Sequence, residues 1–138
     1  TPDQIHRYQA KLSGPLMDRI DLHVEVPNLA HADLLNATAG ESTQSIRTRC
    51  DAARARAIER QGSSNMALQG QAIDQHILLE PDALKFLNVA ASRLGWSARG
   101  THRALNVART IADLAGAQYT QVAHLAEAMQ YRRNPGTL

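Results

Sequence analysis

Apolar residues recur at helical spacing over most of this chain and alternate in one place. Ile20-Asp21-Leu22-His23-Val24-Glu25-Val26 switches between apolar and polar at every step, the period of a half-buried strand, and Pro27 stops it. A lone strand has nothing to pair with. Its sheet is expected upstream of Thr1, and the opening TPDQIHRYQAKLSG, with no signal-peptide apolar run and no initiator Met, reads as a cut inside a longer protein. Before the strand, a short helix is expected over residues 3–12. Ser13-Gly14-Pro15 breaks it, and Pro15 opens another short turn through Arg19.

The rest predicts helices. Residues 28–41 read as a loop or a poor helix. Ser42 is a good N-cap for a helix over Thr43–Gln61, which Gly62 ends, with a thin apolar stripe of Ile46, Cys50, Ala53 and Ala57. Gly62-Ser63-Ser64-Asn65 breaks the chain, and a short helix follows around Ala72–Gln75. Three clearer helices come next. Pro81 starts the first, striped by Leu84, Leu87, Ala91 and Leu94 and ended by Gly95. Ser97 caps the second, which runs to about Ala115 with Leu105, Ala108, Ala112 and Ala115 on one face. Thr120 caps the third, where Val122, Leu125, Ala126 and Met129 face inward. The fold class expected is mainly α: a helical bundle over residues 28–138, preceded by residues 1–27 with their left-over strand.

Composition supports helices. Hydrophobic residues make up 43% of 138 positions, yet there is one Trp, one Phe and three Tyr, so the core is built from Leu, Ile, Val and Ala. The net charge of +2 does not by itself announce a nucleic-acid binder. The kind of charge is more telling: 13 of the 15 basic residues are Arg, a rigid fork suited to carboxylates and phosphates. Cys50 is alone, which excludes an intrachain disulfide and a cysteine-based zinc site and favours a reducing, cytoplasmic setting. No apolar run approaches the roughly 20 residues that span a bilayer.

Two clusters carry candidate chemistry. In Asp18-Arg19-Ile20-Asp21 a tight turn presents an arginine between two carboxylates, just before the strand. Either the carboxylates orient Arg19 toward something beyond this chain, or an Arg–Asp pair steadies the turn. Ser97-Ala98-Arg99-Gly100-Thr101-His102-Arg103 opens a helix. Arg99 and Arg103 lie four residues apart, near the positive end of the helix dipole, where cations repel each other and are disfavoured. Either both point into water, or they and the free helix N–H groups form an anion site. The six histidines show no metal-helix spacing, so no metal site is expected. Neither a Walker A loop nor a Walker B strand end is present, so this chain alone is not expected to hydrolyse ATP.

The ordered segments Leu12-Ser13-Gly14-Pro15-Leu16-Met17-Asp18-Arg19-Ile20-Asp21-Leu22-His23, Gly40-Glu41-Ser42 with Ile46-Arg47 and Ala53-Arg54, and Leu94-Gly95 with Ser97-Ala98-Arg99 and His102-Arg103 resemble the magnesium-chelatase-like AAA+ ATPases. Val107 through Gly116 and His124 through Ala128 extend the resemblance, which covers nearly the whole chain. The ComM/YifB branch is the better match. The resemblance implies the C-terminal lid of a homo-hexameric ATPase that uses ATP and Mg²⁺. It implies Arg19 as an arginine finger acting in trans, and Arg99, with Arg103 as a further candidate, as an ATP sensor. In that branch it implies DNA branch migration during natural transformation. Gly100-Thr101 departs from stronger helix formers and is expected to loosen the sensor's first turn. Other readings stand beside this one: the ATPase subunit of a true magnesium chelatase, a helical module whose Arg-rich helix 43–61 binds nucleic acid or a partner subunit, and a bare structural bundle.

Overall fold

The computed structural model of the chain describes residues 1–132; residues 133–138 of the expected helical domain lie outside the described residues. The fold is mainly α. Short helices α1 (Pro2–Gln9), α2 (Gly14–Met17) and α3 (His31–Leu35) precede the long α4 (Thr43–Gln61). A 3-10 turn at Asn65–Ala67, then α5 (Gln71–His76), α6 (Pro81–Leu94), α7 (Ala98–Leu114) and α8 (Val122–Gln130) complete it. Among the described residues no helix is long and apolar enough to cross a membrane.

Several boundaries follow from local chemistry. Ser42 and Ser97 cap α4 and α7 through their hydroxyls, which accept from the Ser45 and Gly100 amides. Gly62 and Gly95 end α4 and α6 at φ of 75° and 61°, a left-handed turn open to glycine.

Helix α7 is the axis of the bundle. It packs against α8, α4, α5 and the 3-10 turn, while α6 packs against α8. Leu68, Ile73, Ile77, Leu87, Leu105 and Leu125 fill the space between them, with Ala83, Ala108 and Ala128 at the closest helix contacts. Among the described residues, eight of the fourteen buried apolar ones are alanine, which lets neighbouring helices approach closely. The loops before α6 and α8 are tied by one parallel bridge, in which the Thr120 amide donates to Leu78 O at 2.8 Å and the Glu80 amide to Thr120 O at 3.1 Å.

Four expectations are corrected. Residues 20–26 form no strand, because no neighbouring strand is present for the ladder and the segment docks on the bundle instead. The buried face of α6 is Ala83, Leu87 and Ala90, one step round from the expected stripe, and Leu84 and Leu94 are exposed. Helix α4 buries Ala53 and Ala57 but leaves Ile46 and Cys50 open, since its first half extends past the bundle. Thr120 does not cap α8. It is fully buried in the bridge, and Gln121 caps the helix, its amide donating to His124 Nδ1 at 3.0 Å.

Candidate functional site

The turn that carries Arg19 is built by Ser13, whose hydroxyl accepts from the Leu16 amide, and by Pro15 in the first turn of α2. Amide bonds from Arg19 to Leu16 O at 3.0 Å and from Ile20 to Met17 O at 3.2 Å then swing the chain toward α7. Asp18 accepts from the Ser97 hydroxyl at 3.2 Å, and Asp21 pairs with Arg103 at 3.0 Å. The two carboxylates therefore do not flank Arg19 as the sequence suggests. They fasten the turn to the start of α7, and neither an oriented Arg19 carboxylate pair nor an Arg19–Asp brace of the turn is formed.

Arg19 is left pointing at an open cavity of about 520 Å³ between the start of α7 and the loop leading into α5. Arg19, Arg99, His102, Arg103 and Asn106 line it together with Leu68, Gln69 and Ile73. Arg19 and Arg99, far apart in sequence, thus meet at one site. Among the described residues no ion pair engages either of them, whereas Arg103 faces the same cavity with its charge offset by Asp21. Two guanidinium groups without an ion-pair partner among the described residues, one of them in the first turn of α7, attract an anion.

Gly100 is buried rather than loosening the helix. A Cβ there would sit 3.4 Å from Arg132 Nη2 and 3.4 Å from Ser97 Oγ, in ordinary contact, which places the Arg132 guanidinium against the first turn of α7. Arg132 stacks over the Trp96 ring at 5.9 Å from its centroid. His23 is held beside it, its amide donating to Tyr131 O at 2.7 Å. Burial, and then the Arg132 charge, hold the His23 imidazole below its ordinary value. A ring-proton titration of His23 by NMR is expected to give a midpoint below about 6.5. A midpoint at or above that value would mean the ring is free in water.

Residues outside the expected site turn out to fix its frame. Arg60 grips Asp113 through both nitrogens at 2.7 and 2.9 Å and also reaches Asn65 at 2.9 Å. Arg56 donates to the Asp113 carbonyl at 2.7 Å. Buried Arg109 donates to Asp113 at 2.9 Å and to the Ala117 and Gln118 carbonyls. Burial alone would raise the Asp113 carboxyl, but hydrogen bonds from Arg60 and Asn65 and the Arg109 charge outweigh it and hold the group below the usual carboxylate range. Two arginines of the Arg-rich helix are therefore structural. Arg47 and Arg54 are exposed, and Arg49 pairs with Glu41. The i, i+4 spacing of Arg109 and Asp113 was the available signal for this network; for Arg132 the sequence offers none.

Comparison with known proteins gives the family. Residues 40–132 match the family described as magnesium chelatase, subunit ChlI C-terminal, and residues 1–34 match magnesium chelatase, subunit ChlI. The chain belongs to the magnesium-chelatase family. It is 42% identical over 133 residues to Competence protein ComM of Haemophilus influenzae, covering 96% of this chain and 26% of that protein. It is 40% identical over 134 residues to the YifB protein of Escherichia coli, again covering 96% of this chain and 26% of the relative. An uncharacterized protein of Mycobacterium bovis is 36% identical over 131 residues, 92% of this chain and 26% of its own length. The chain thus spans about a quarter of the relatives it matches, within the ComM/YifB group of chelatase-like proteins.

Proposed function

We propose that this chain is the C-terminal lid of a ring-forming AAA+ ATPase and that it presents Arg19 and Arg99 together to the phosphates of ATP bound by a neighbouring subunit. The observation that carries the reading is their convergence on one cavity with no acid to offset either among the described residues. A triphosphate supplies the missing negative charge, and arginines so placed stabilise charge that builds on the phosphoryl group in flight. The chain furnishes the cationic side of such a site. Its nearby carboxylates, Asp18 and Asp21, are engaged by Ser97 and Arg103, so Mg²⁺ is expected to be held by residues outside this chain.

Because the finger and the sensor share one cavity, both act on the same nucleotide and both act in trans. Subunit mixing tests this. Arg99→Ala subunits mixed with subunits whose Walker A loop is disabled are expected to regain ATPase activity, as intact loops then face intact arginines. Arg19→Ala subunits are expected to behave alike. Rescue for Arg19→Ala but not for Arg99→Ala would place the sensor in cis. Rescue for neither would remove the shared-site reading. The likeness to a protein named for competence supports a role in natural transformation over metal insertion into a porphyrin, and we extend the reading to work on DNA in a homo-hexamer. Stimulation of the ATPase by branched DNA, and not by a porphyrin, is the corresponding result.

A further inference from the structure

The segment that carries Arg19 has no strand partners, so something else must fix where the finger points. Its attachments to the bundle are few. Ser97 bonds Asp18, Arg103 pairs with Asp21, and the His23 amide meets Tyr131 O. Arg132 joins them, donating from Nη1 to Ile20 O at 3.3 Å while Nη2 lies 4.0 Å from Asp18 Oδ1. Its side chain is only 7% exposed, sandwiched between this segment, the Trp96 ring and the bare backbone of Gly100. Its side chain thus touches both the finger's segment and the start of the sensor helix, from a backbone position just past α8.

We infer that Arg132 is a positioning residue that locks the Arg19 segment to the first turn of α7, so that finger and sensor reach the nucleotide as one rigid unit; this rests on the ATP reading of the cavity. The planar guanidinium matters. It lies over Trp96 at 5.9 Å while one terminal nitrogen donates to a carbonyl and the other faces a carboxylate, a set of directions that a single ammonium nitrogen does not span.

Two measurements test it. In the 138-residue chain, Arg132→Ala is expected to speed hydrogen exchange of the Arg19–His23 amides, with α7 and α8 core amides unchanged. In a longer ATPase carrying this segment, Arg132→Ala is expected to lower kcat by up to about 10²-fold through misplacement of the finger, with KM for ATP little changed. Placed on an Arg19→Ala background it is expected to cost nothing further, because a residue acting through Arg19 has nothing left to position. Arg132→Lys recovers part of the loss. Multiplying losses in the double variant, or unchanged exchange at Arg19–His23, would overturn the inference. Should Arg132→Ala melt the whole chain, Asp18→Asn, which weakens the same lock without emptying it, carries the test with the same expected signs. Normal turnover in Arg19→Ala alone would fail the ATP reading and end Arg132's role in turnover with it, while the exchange result would still separate a lock from an idle contact. Reduced turnover in Arg19→Ala with normal turnover in Arg132→Ala would leave the ATP reading standing and remove the lock.

Discussion

Alanine at Arg19, in a longer ATPase that carries this segment, is expected to lower steady-state ATP turnover by about 10³-fold or more. The size follows from what an arginine finger does. In the proposed finger role it meets charge that develops only in the transition state, so its loss appears in kcat rather than in binding. The fold has little stake in it. Arg19 is exposed and no ion pair engages it among the described residues, so stability should shift by no more than about 0.5 kcal/mol. Steady-state assays paired with thermal melts separate the two effects. Turnover within a few-fold of the parent, with melting unchanged, would leave Arg19 as a solvated surface charge.

Asp113→Ala should do the reverse, destabilising the chain by about 3–5 kcal/mol, because it leaves Arg109 buried without its anion and Arg60 without its main partner. Asp113 is 1% exposed, so water cannot replace the lost carboxylate. The depressed carboxyl also sets the direction of the pH dependence. The folded chain binds the proton less readily than the unfolded chain does. This contribution is therefore complete above the unfolded value, about 3.9, and is lost as pH falls through the lower folded value. Urea midpoints at pH 7 and at pH 3 measure it, and Asp113→Asn should flatten the difference. An Asp113→Ala midpoint equal to the parent's would show that α4 is held by apolar packing alone.

Helix positions were legible because their punctuation is local. Ser42, Gly62, Gly95 and Ser97 each act within one turn, and the bounds they predict for α4, α6 and α7 agree closely with the structure. Which face of a helix goes inward is a tertiary decision. On α6 both Leu84 and Leu87 looked equally buried, and only the position of α8 sent Ala83 and Ala90 inward and Leu84 out. The candidate site shows the same divide. Arg19 and Arg99 could be singled out by local oddity, an arginine between two acids and a cation at a helix start. Their meeting in one cavity, and the diversion of Asp18 and Asp21 to Ser97 and Arg103, depend on contacts across some eighty positions of sequence that no local pattern encodes.

The alanine-lined contacts around α7 also bear on how force would pass through this bundle. Alanine has no side-chain torsion to turn, so a helix packed on alanine cannot absorb a push by changing rotamers, as one packed on leucine or methionine can. Ala53 and Ala57 on α4 and Ala104, Ala108 and Ala112 on α7 are all buried, and close-packed interiors transmit strain rather than damp it. A load applied to the projecting half of α4 would then arrive at the Arg99 end of α7 as displacement of a stiff rod. Mechanically the bundle forms a lever, whose long arm is the exposed first half of α4 and whose short arm is the end of α7 at the cavity.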